Sequence, residues 1–342
     1  MSRPRTTTQF LAIDPDDPAP AAIARAVAVL RDRRLVAFPT ETVYGLGADA
    51  RSDVAVARIF AAKRRPASNP LIVHVADINH ARQLVTDWPD SAQQLARRFW
   101  PGPLTLVLPR QPEVSDLVTA GGPTVGLRMP AHPVALELLR GANLPVAAPS
   151  ANLATHISPT RAEHVRDDLE GRVDLILDGG SCRVGIESTV VDLSGAVPRL
   201  LRPGAVSHGE LEDCLGTTVE GKGRDSGLDR TVRSPGQQER HYAPSIPTRC
   251  VDSEELNRTL DQARVGERIG YLAREGGTSE EVTAREGIVL RMSSDPRRYA
   301  AELYAALRTL EASDVDWIVI ERPPRQPEWE AVHDRLLRAS AS

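Results

Sequence analysis

Short apolar runs alternate with stretches of helical periodicity through most of this chain, and that alternation restricts it to mixed α/β architectures. Residues 19–33 place Ile23, Val27 and Leu30 at i, i+4 and i+7, which predicts an amphipathic helix. LVAF (35–38) follows as a short apolar strand, residues 53–62 read as a helix, and PLIVHV (70–75) reads as a strand. LTLVL (104–108), TVGLR (124–128), PVAA (145–148), DLIL (174–177) and STVVDL (188–193) predict further strands, with helices over 91–99, 133–140 and 160–168. The expected fold of this part is a twisted mixed sheet with helices on its faces. The pattern does not give the strand order.

The alternation stops between about Glu210 and Pro247, where Gly, Pro and charge replace aliphatics. A long linker is predicted there, ending in the unusual run HYAP (His241 to Pro244), and long loops of this kind often serve as lids. Alternation resumes with RIGYLA (268–273), GIVLRM (287–292) and WIVIE (317–321), and a helix over about 296–311 carries Tyr299, Leu303, Leu307 and Leu310 on one face. That is βαβ grammar, so a small, Rossmann-like parallel sheet is expected. The chain of 342 residues is long enough for two domains at about 150 residues each. The expected division is 13–212, a linker at 213–245, and 246–342.

Charge and composition narrow the function. The 42 basic and 46 acidic residues leave a net charge of −4, which argues against a chain held to nucleic acid by its whole surface. Aromatics at 4% make a base-stacking platform a poor expectation. The cysteines Cys182, Cys214 and Cys250 fit no zinc spacing and no disulfide framework, so a reducing, cytoplasmic setting is expected. No apolar run approaches the ~18 residues of a membrane span, and the start lacks a secretory apolar stretch.

Nucleotide fingerprints are incomplete. GLGADA (Gly45 to Ala50) matches G-x-G-x-x-A, but Lys63-Arg64-Arg65 stands where a dinucleotide fold needs an acid. GTTVEGKG (Gly216 to Gly223) lacks the Ser or Thr of a phosphate loop and a preceding strand. What remains is a density of polar residues at strand ends. PTETVYGLGA places Thr40, Glu41, Thr42 and Tyr44 after a strand, followed by glycines where backbone could approach a ligand. KRRPASNP offers three cations, with Arg able to grip phosphate bidentately. His74 lies inside an apolar strand, and Arg128 at a strand end requires a partner, protein or ligand. Ser150, Asn152, Ser158 and Thr160 surround a strand-to-helix passage, with Ser158 either capping that helix or facing phosphate. Glu187, Ser188, Thr189 and Arg202 complete the set. No nucleophile–base–acid triad and no zinc helix motif is present. Hydroxyls, cations and an amide suit an anionic nucleotide beside a small polar molecule, with catalysis by positioning and charge neutralisation.

These motifs, in this order, resemble the YrdC-like family of threonylcarbamoyl-AMP synthases. The resemblance runs from about Ala19 to Val206 through FPTETVYGLGADA, KRRPASNPLIVHV, FWPGPLTLVLP, TVGLRMPAHPVA, PVAAPSAN, ISPT, LILDGG, GIESTVVD and LLRPGAV. The linker run SPGQQERHYAPSIP, the tail DPRRYAAELYAALRTLEASDVDWIVIERPP and DRLLRAS look like the longer, two-domain branch. The resemblance implies a YrdC-like sheet with a concave site. It also implies a reaction in which L-threonine, bicarbonate (or carbon dioxide) and ATP give threonylcarbamoyl-adenylate and diphosphate, for tRNA modification completed by a downstream threonylcarbamoyl transferase.

By motif position, Thr42, His74, Arg128, the backbone of Ala148, and Ser188 are implied to hold threonine. Lys63, Arg65, Asn69, Thr124, Ser150, Ser158 and Arg202 are implied around ATP, and Tyr242 as a linker residue closing over the nucleotide. Mg2+ is expected with ATP; its ligands are not named by the sequence. Direct tRNA binding is left open, and no membrane partner is expected. Three departures stand out: Ala154-Thr155 replaces a pair ending in Gly, Arg64 replaces Gly or Asn, and Ser68 replaces Asp before Asn69. The competing readings are a carbamoyltransferase and an RNA-binding protein of the same fold. Its three cysteines and remaining length do not suit the zinc fingers and extra modules of the first, and its net charge of −4 and few aromatics argue against the second, with a locally basic groove left open.

Overall fold

The computed structural model describes residues 6–221, 240–264, 266–275 and 287–341. The described chain divides into two compact units. The first holds the chain to Ala154, Pro159–Arg183, and the stretch from Glu187; the second holds Thr155–Ser158, Val184–Ile186 and the C-terminal part.

The first unit is built on a ten-stranded mixed sheet. Its strands are β1 (Gln9–Ala12), β2 (Val36–Phe38), β3 (Gly45–Asp49), β4 (Ile72–His74), β5 (Leu104–Pro109), β6 (Thr124–Arg128), β7 (Val146–Ala147), β8 (Leu175–Asp178), β9 (Thr189–Asp192) and β10 (Arg199–Arg202). They lie in the order β1-β8-β2-β3-β7-β4-β6-β5-β9-β10. Helices Pro20–Arg31 and Pro133–Ala142 pack on one face, against Val36, Phe38, Val146, Ala148, Leu175 and Leu177. Helices Asp53–Lys63, Asp90–Phe99, Ala162–Leu169 and His208–Leu215 pack on the other, against Ala37, Leu46, Ala48, Val73, Leu104, Leu106 and Leu127.

That distribution positions the site. Along β4, β6 and β5, Val73, Leu127, Leu104 and Leu106 belong to the second packed face. Strand side chains alternate, so His74, Arg128 and Thr105 point to the opposite face. There Val107, Val190 and Leu201 form a small apolar cluster, Phe38 meets the His74 ring, and polar groups share the surface.

The strands and helices expected from alternation are present with ends shifted by a residue or two. Three further strands carry weaker patterns. β1 is an edge strand, mostly exposed, and β10 and Thr248–Val251 are four residues each. GLGADA, expected as a ligand-facing loop, is strand β3. Its Gly47 is required by packing: an added Cβ would lie 2.8 Å from the Phe38 ring and 2.9 Å from Val146, inside normal contact distance.

The second unit carries a four-stranded, wholly parallel sheet. Its strands are β11 (Thr248–Val251), β12 (Ile269–Arg274), β13 (Ile288–Met292) and β14 (Trp317–Glu321), in the order β11-β14-β12-β13. Helix Pro296–Glu311 buries Tyr299, Leu303, Leu307 and Leu310, the face its periodicity predicts, with Asp295 capping its N-terminus. Glu321 is buried at the end of β14 and accepts hydrogen bonds from Ser253 (2.7 Å), Tyr271 (2.9 Å) and the Arg274 amide (2.9 Å). It ties the end of β14 to β12 and to the turn that follows β11.

The stretch expected as linker, 213–245, is described at both ends. Helix His208–Leu215 runs past residue 212, and Glu220 bridges Arg199, so the chain to residue 221 belongs with the first unit. GTTVEGKG begins as that helix's C-cap at Gly216 and follows no strand; Lys222 and Gly223 lie outside the described residues, as does Ser234–Glu239 of the SPGQQER run. His241 and Tyr242 are buried in the second unit. Among the described residues, no helix is long and apolar enough to cross a membrane.

Candidate active site

Of the residues expected to hold the amino acid, His74 and Arg128 stand at the ends of β4 and β6. These strands are parallel and in register, with His74 opposite Arg128. Both side chains are buried, at 3% and 4% exposure. Burial, then the Arg128 charge, pushes His74 down to about 3. The ring is therefore neutral near pH 7. Its Nδ1 has no hydrogen-bond partner, and its edge meets Phe38 with centroids 6.2 Å apart.

Arg128 is held from two directions. Its Nε donates to the Gly102 carbonyl at 3.3 Å, and its Nη2 lies 2.8 Å from Glu41 Oε1. That second contact is an ion pair without hydrogen-bond geometry, so Nη2 and Oε1 each keep unused capacity. Glu41 is fixed by its other oxygen, which accepts the Ala131 amide at 3.0 Å. The adjoining turn is closed by Thr40. Its hydroxyl donates to the Val43 carbonyl at 2.6 Å, accepts the Thr42 and Val43 amides at 3.2 Å, and lies 2.9 Å from the Thr42 hydroxyl. Ala148 continues β7, its amide donating to the Ile72 carbonyl at 2.9 Å.

Ser188 is fully buried just before β9, and its hydroxyl lies 2.8 Å from that of Thr105. Arg202, on β10, donates from Nε to the Ser188 carbonyl (3.0 Å) and from Nη2 to its hydroxyl (3.1 Å). Sequence position assigned Ser188 to one ligand and Arg202 to another; in the fold they are bonded to each other.

Among the residues expected around ATP, Lys63 is the last residue of helix Asp53–Lys63. Its Nζ donates to the Ser150 carbonyl (2.5 Å), the Asn152 carbonyl (2.6 Å) and Asn152 Oδ1 (3.2 Å), and Ser150 Oγ donates to the same Oδ1 (2.6 Å). Lys63 thus shapes the Ser150–Asn152 loop. Burial, then the neighbouring Arg65, holds its pKa well below the ordinary lysine range, so an incoming polyanion would stabilise its charged form. Arg65 is buried and donates to the Asn69 and Pro70 carbonyls (3.4 and 3.0 Å). Asn69 Oδ1 is buried without a partner. Thr124 opens β6 opposite Pro109, half-buried. Arg64 adopts φ 52° and faces solvent. It is the left-handed C-cap of its helix, the conformation that Gly or Asn takes most readily.

Ser158 and Tyr242 belong to the second unit. Ser158 is fully buried and does not cap the following helix, which begins at Ala162 with Arg161 as N-cap and no side-chain cap. Tyr242, at φ 59°, stacks on Tyr304 (5.8 Å) and under the Arg335 guanidinium (5.2 Å). Its neighbour Ala243 donates to the Thr155 carbonyl at 3.0 Å. Thr155 stands where the resemblance implies Gly, and it adopts φ 71°. A β-branched residue there is strained, so the departure keeps a glycine-like backbone at an energetic cost.

Thr105 escaped the sequence reading, whereas Glu41 and Asn152 stood among its polar residues at strand ends without an assigned role. Glu41 had a readable signal, because it is the one acid in PTETVYGLGA and a buried Arg demands an anion. The burial of Glu41 beside Arg128 could not be read from spacing.

A neutral buried His74 makes stability pH-dependent. In the unfolded chain it binds a proton near pH 6.5, and in the folded chain only near 3. The unfolded state therefore gains protons first as pH falls, and stability drops below pH 6.5. At pH 5.5 this one group costs about 1.4 kcal/mol. Denaturant titrations of wild type and His74→Gln at pH 7.5 and 5.5 check this; an equal loss in both proteins removes His74 as the cause.

Comparison with known proteins gives the class first. The Sua5–YciO–YrdC family model, described as telomere recombination, matches residues 28–204. The model of the threonylcarbamoyl-AMP synthase C-terminal domain matches residues 206–341. A threonylcarbamoyl-AMP synthase of Bacillus subtilis is 44% identical, covering 93% of this chain and 92% of the relative. One from Pyrococcus abyssi is 41% identical over 92% and 93%. The crystal structure of P. abyssi Sua5 complexed with L-threonine superposes with a TM-score of 0.87 at 38% identity, covering 98% of each chain. The chain belongs to the threonylcarbamoyl-AMP synthase family, in its two-domain Sua5 branch.

Proposed function

We propose that this protein converts L-threonine, bicarbonate or carbon dioxide, and ATP into threonylcarbamoyl-adenylate and diphosphate, supplying a separate transferase that modifies tRNA. The observation that carries the reading is likeness over nearly the whole chain, in both domains, to relatives named for that product. The site's chemistry supports it. A buried guanidinium suits the threonine carboxylate. Thr42, the neutral His74 imidazole, the Ala148 backbone and Ser188 suit its hydroxyl and amine.

The amine takes up carbon dioxide with loss of a proton to give a carbamate. A carbamate oxygen then attacks the α-phosphorus of ATP, and diphosphate leaves. Lys63, Arg65, Asn69, Thr124, Ser150, Ser158 and Arg202 are proposed around ATP. Arg202, bonded to Ser188, would stand between the amino-acid and nucleotide sets. Among the described residues no group of three His, Cys, Asp or Glu side chains is placed to hold a metal. Magnesium is proposed to enter with ATP, held mainly by phosphate oxygens and water. Tyr242 is proposed to act on the nucleotide from the linker, keeping the labile adenylate from water.

The test is a mass-spectrometric product assay on the pure protein with ATP, magnesium, bicarbonate and L-threonine, omitting each in turn. Threonylcarbamoyl-adenylate that requires all three substrates is expected. Its absence while ATP still binds would overturn the reading.

A further inference from the structure

We infer that Glu41 is a positioning residue for the amino-acid substrate. It grips the Arg128 guanidinium from one side, so that the guanidinium's Nη1–Nη2 edge is left for the substrate carboxylate. The inference rests on the proposed threonine role of Arg128.

A guanidinium has five N–H donors in a rigid fork. In Arg128, Nε is taken by the Gly102 carbonyl at 3.3 Å, and Nη2 is drawn to Glu41 Oε1 at 2.8 Å. Among the described residues no partner is present for Nη1, and Nη2 is buried without a hydrogen bond. A purely structural buried pair gains most when both partners are fully hydrogen-bonded. This one is not: opposite charges touch, but Nη2 is buried without a hydrogen bond. A carboxylate, with two oxygens spaced to match two N–H groups, is the ligand that satisfies the Nη1–Nη2 edge.

Glu41 is itself held rigidly. Its Oε2 accepts the Ala131 amide at 3.0 Å, and the preceding turn is closed by the Thr40 hydroxyl. An arginine side chain loses rotamer freedom when it is ordered, and much of that ordering in Arg128 is thus complete before substrate arrives. The same carboxylate supplies the counter-charge that makes burial of Arg128 tolerable in the empty site.

The role is one of placement, which sets the test. Glu41→Asp keeps the charge but withdraws the oxygen by one methylene. Glu41→Gln loses the charge but keeps an acceptor oxygen at the same reach. In steady-state assays of the full chain, Glu41→Asp should raise the KM for L-threonine about tenfold or more with the KM for ATP little changed. Glu41→Gln should recover most of that loss, to a rise of about threefold. Three results would overturn the role: no change in the threonine KM in Glu41→Asp, parallel rises for threonine and ATP, or a larger rise in Glu41→Gln than in Glu41→Asp. Should Glu41→Asp fail to fold, Glu41→Gln decides alone, a threonine-selective rise of about threefold supporting the role and any other result opposing it. Arg128→Lys separates the two levels, because it should raise the threonine KM whatever Glu41 does. If it does not, the amino-acid reading of Arg128 has failed, and the placement role that rests on it falls with it.

Discussion

Arg128→Ala should raise the KM for L-threonine about 10- to 100-fold, the loss of charge-assisted hydrogen bonds worth about 1.5–3 kcal/mol. The effect should fall on threonine and spare ATP, since Arg128 ends β6 beside His74 and Glu41 and shares no hydrogen bond with the Lys63–Ser150–Asn152 cluster. The same substitution leaves Glu41 buried without its cation, a change that typically costs about 3–5 kcal/mol of stability. Steady-state kinetics and a thermal melt separate the two. The double variant Arg128→Ala/Glu41→Gln should regain stability without regaining threonine affinity. A threonine KM unchanged in Arg128→Ala would remove this residue from amino-acid recognition.

Gly204→Ala should be as damaging by a different route. An added Cβ would fall 2.4 Å from the Thr189 amide nitrogen, 2.7 Å from the Ser188 carbonyl carbon and 2.8 Å from the Glu187 oxygen. All three are backbone atoms, and no side-chain rotation relieves the clash. Either the LRPG turn or the segment leading into β9 must move. Arg202, which holds Ser188 by two hydrogen bonds, would lose its registry. Backbone displacement of this kind belongs among the large destabilisations, above about 3 kcal/mol, with most activity lost. Denaturant midpoint and product formation measure the two effects. A stable, active Gly204→Ala would mean that this turn yields without disturbing Ser188.

Much of this molecule was legible before any coordinates. The helix over 296–311 and the strands at 124–128 and 317–321 have the bounds their periodicity predicts. These elements bury a full face, so apolar spacing reports them directly. β1 escaped because an exposed edge strand has little apolar alternation. β3 was read as a glycine loop because GLGADA looks like a turn; its Gly47 is there so that Phe38 and Val146 can close over it.

The site divides in the same way. Motif order determined which residues were candidates, because hydroxyls, cations and an amide at strand ends are a chemical inventory that sequence states outright. It also required that Arg128 have a partner. Only the tertiary structure supplied that partner, by folding the turn after β2 against the end of β6 so that Glu41 meets Arg128. It likewise joined Ser188 to Arg202 and Lys63 to Ser150, pairs separated by 14 and 87 residues. Periodicity records which face a residue takes. Which residues then meet depends on strand order and register, and those are settled by packing of the whole sheet.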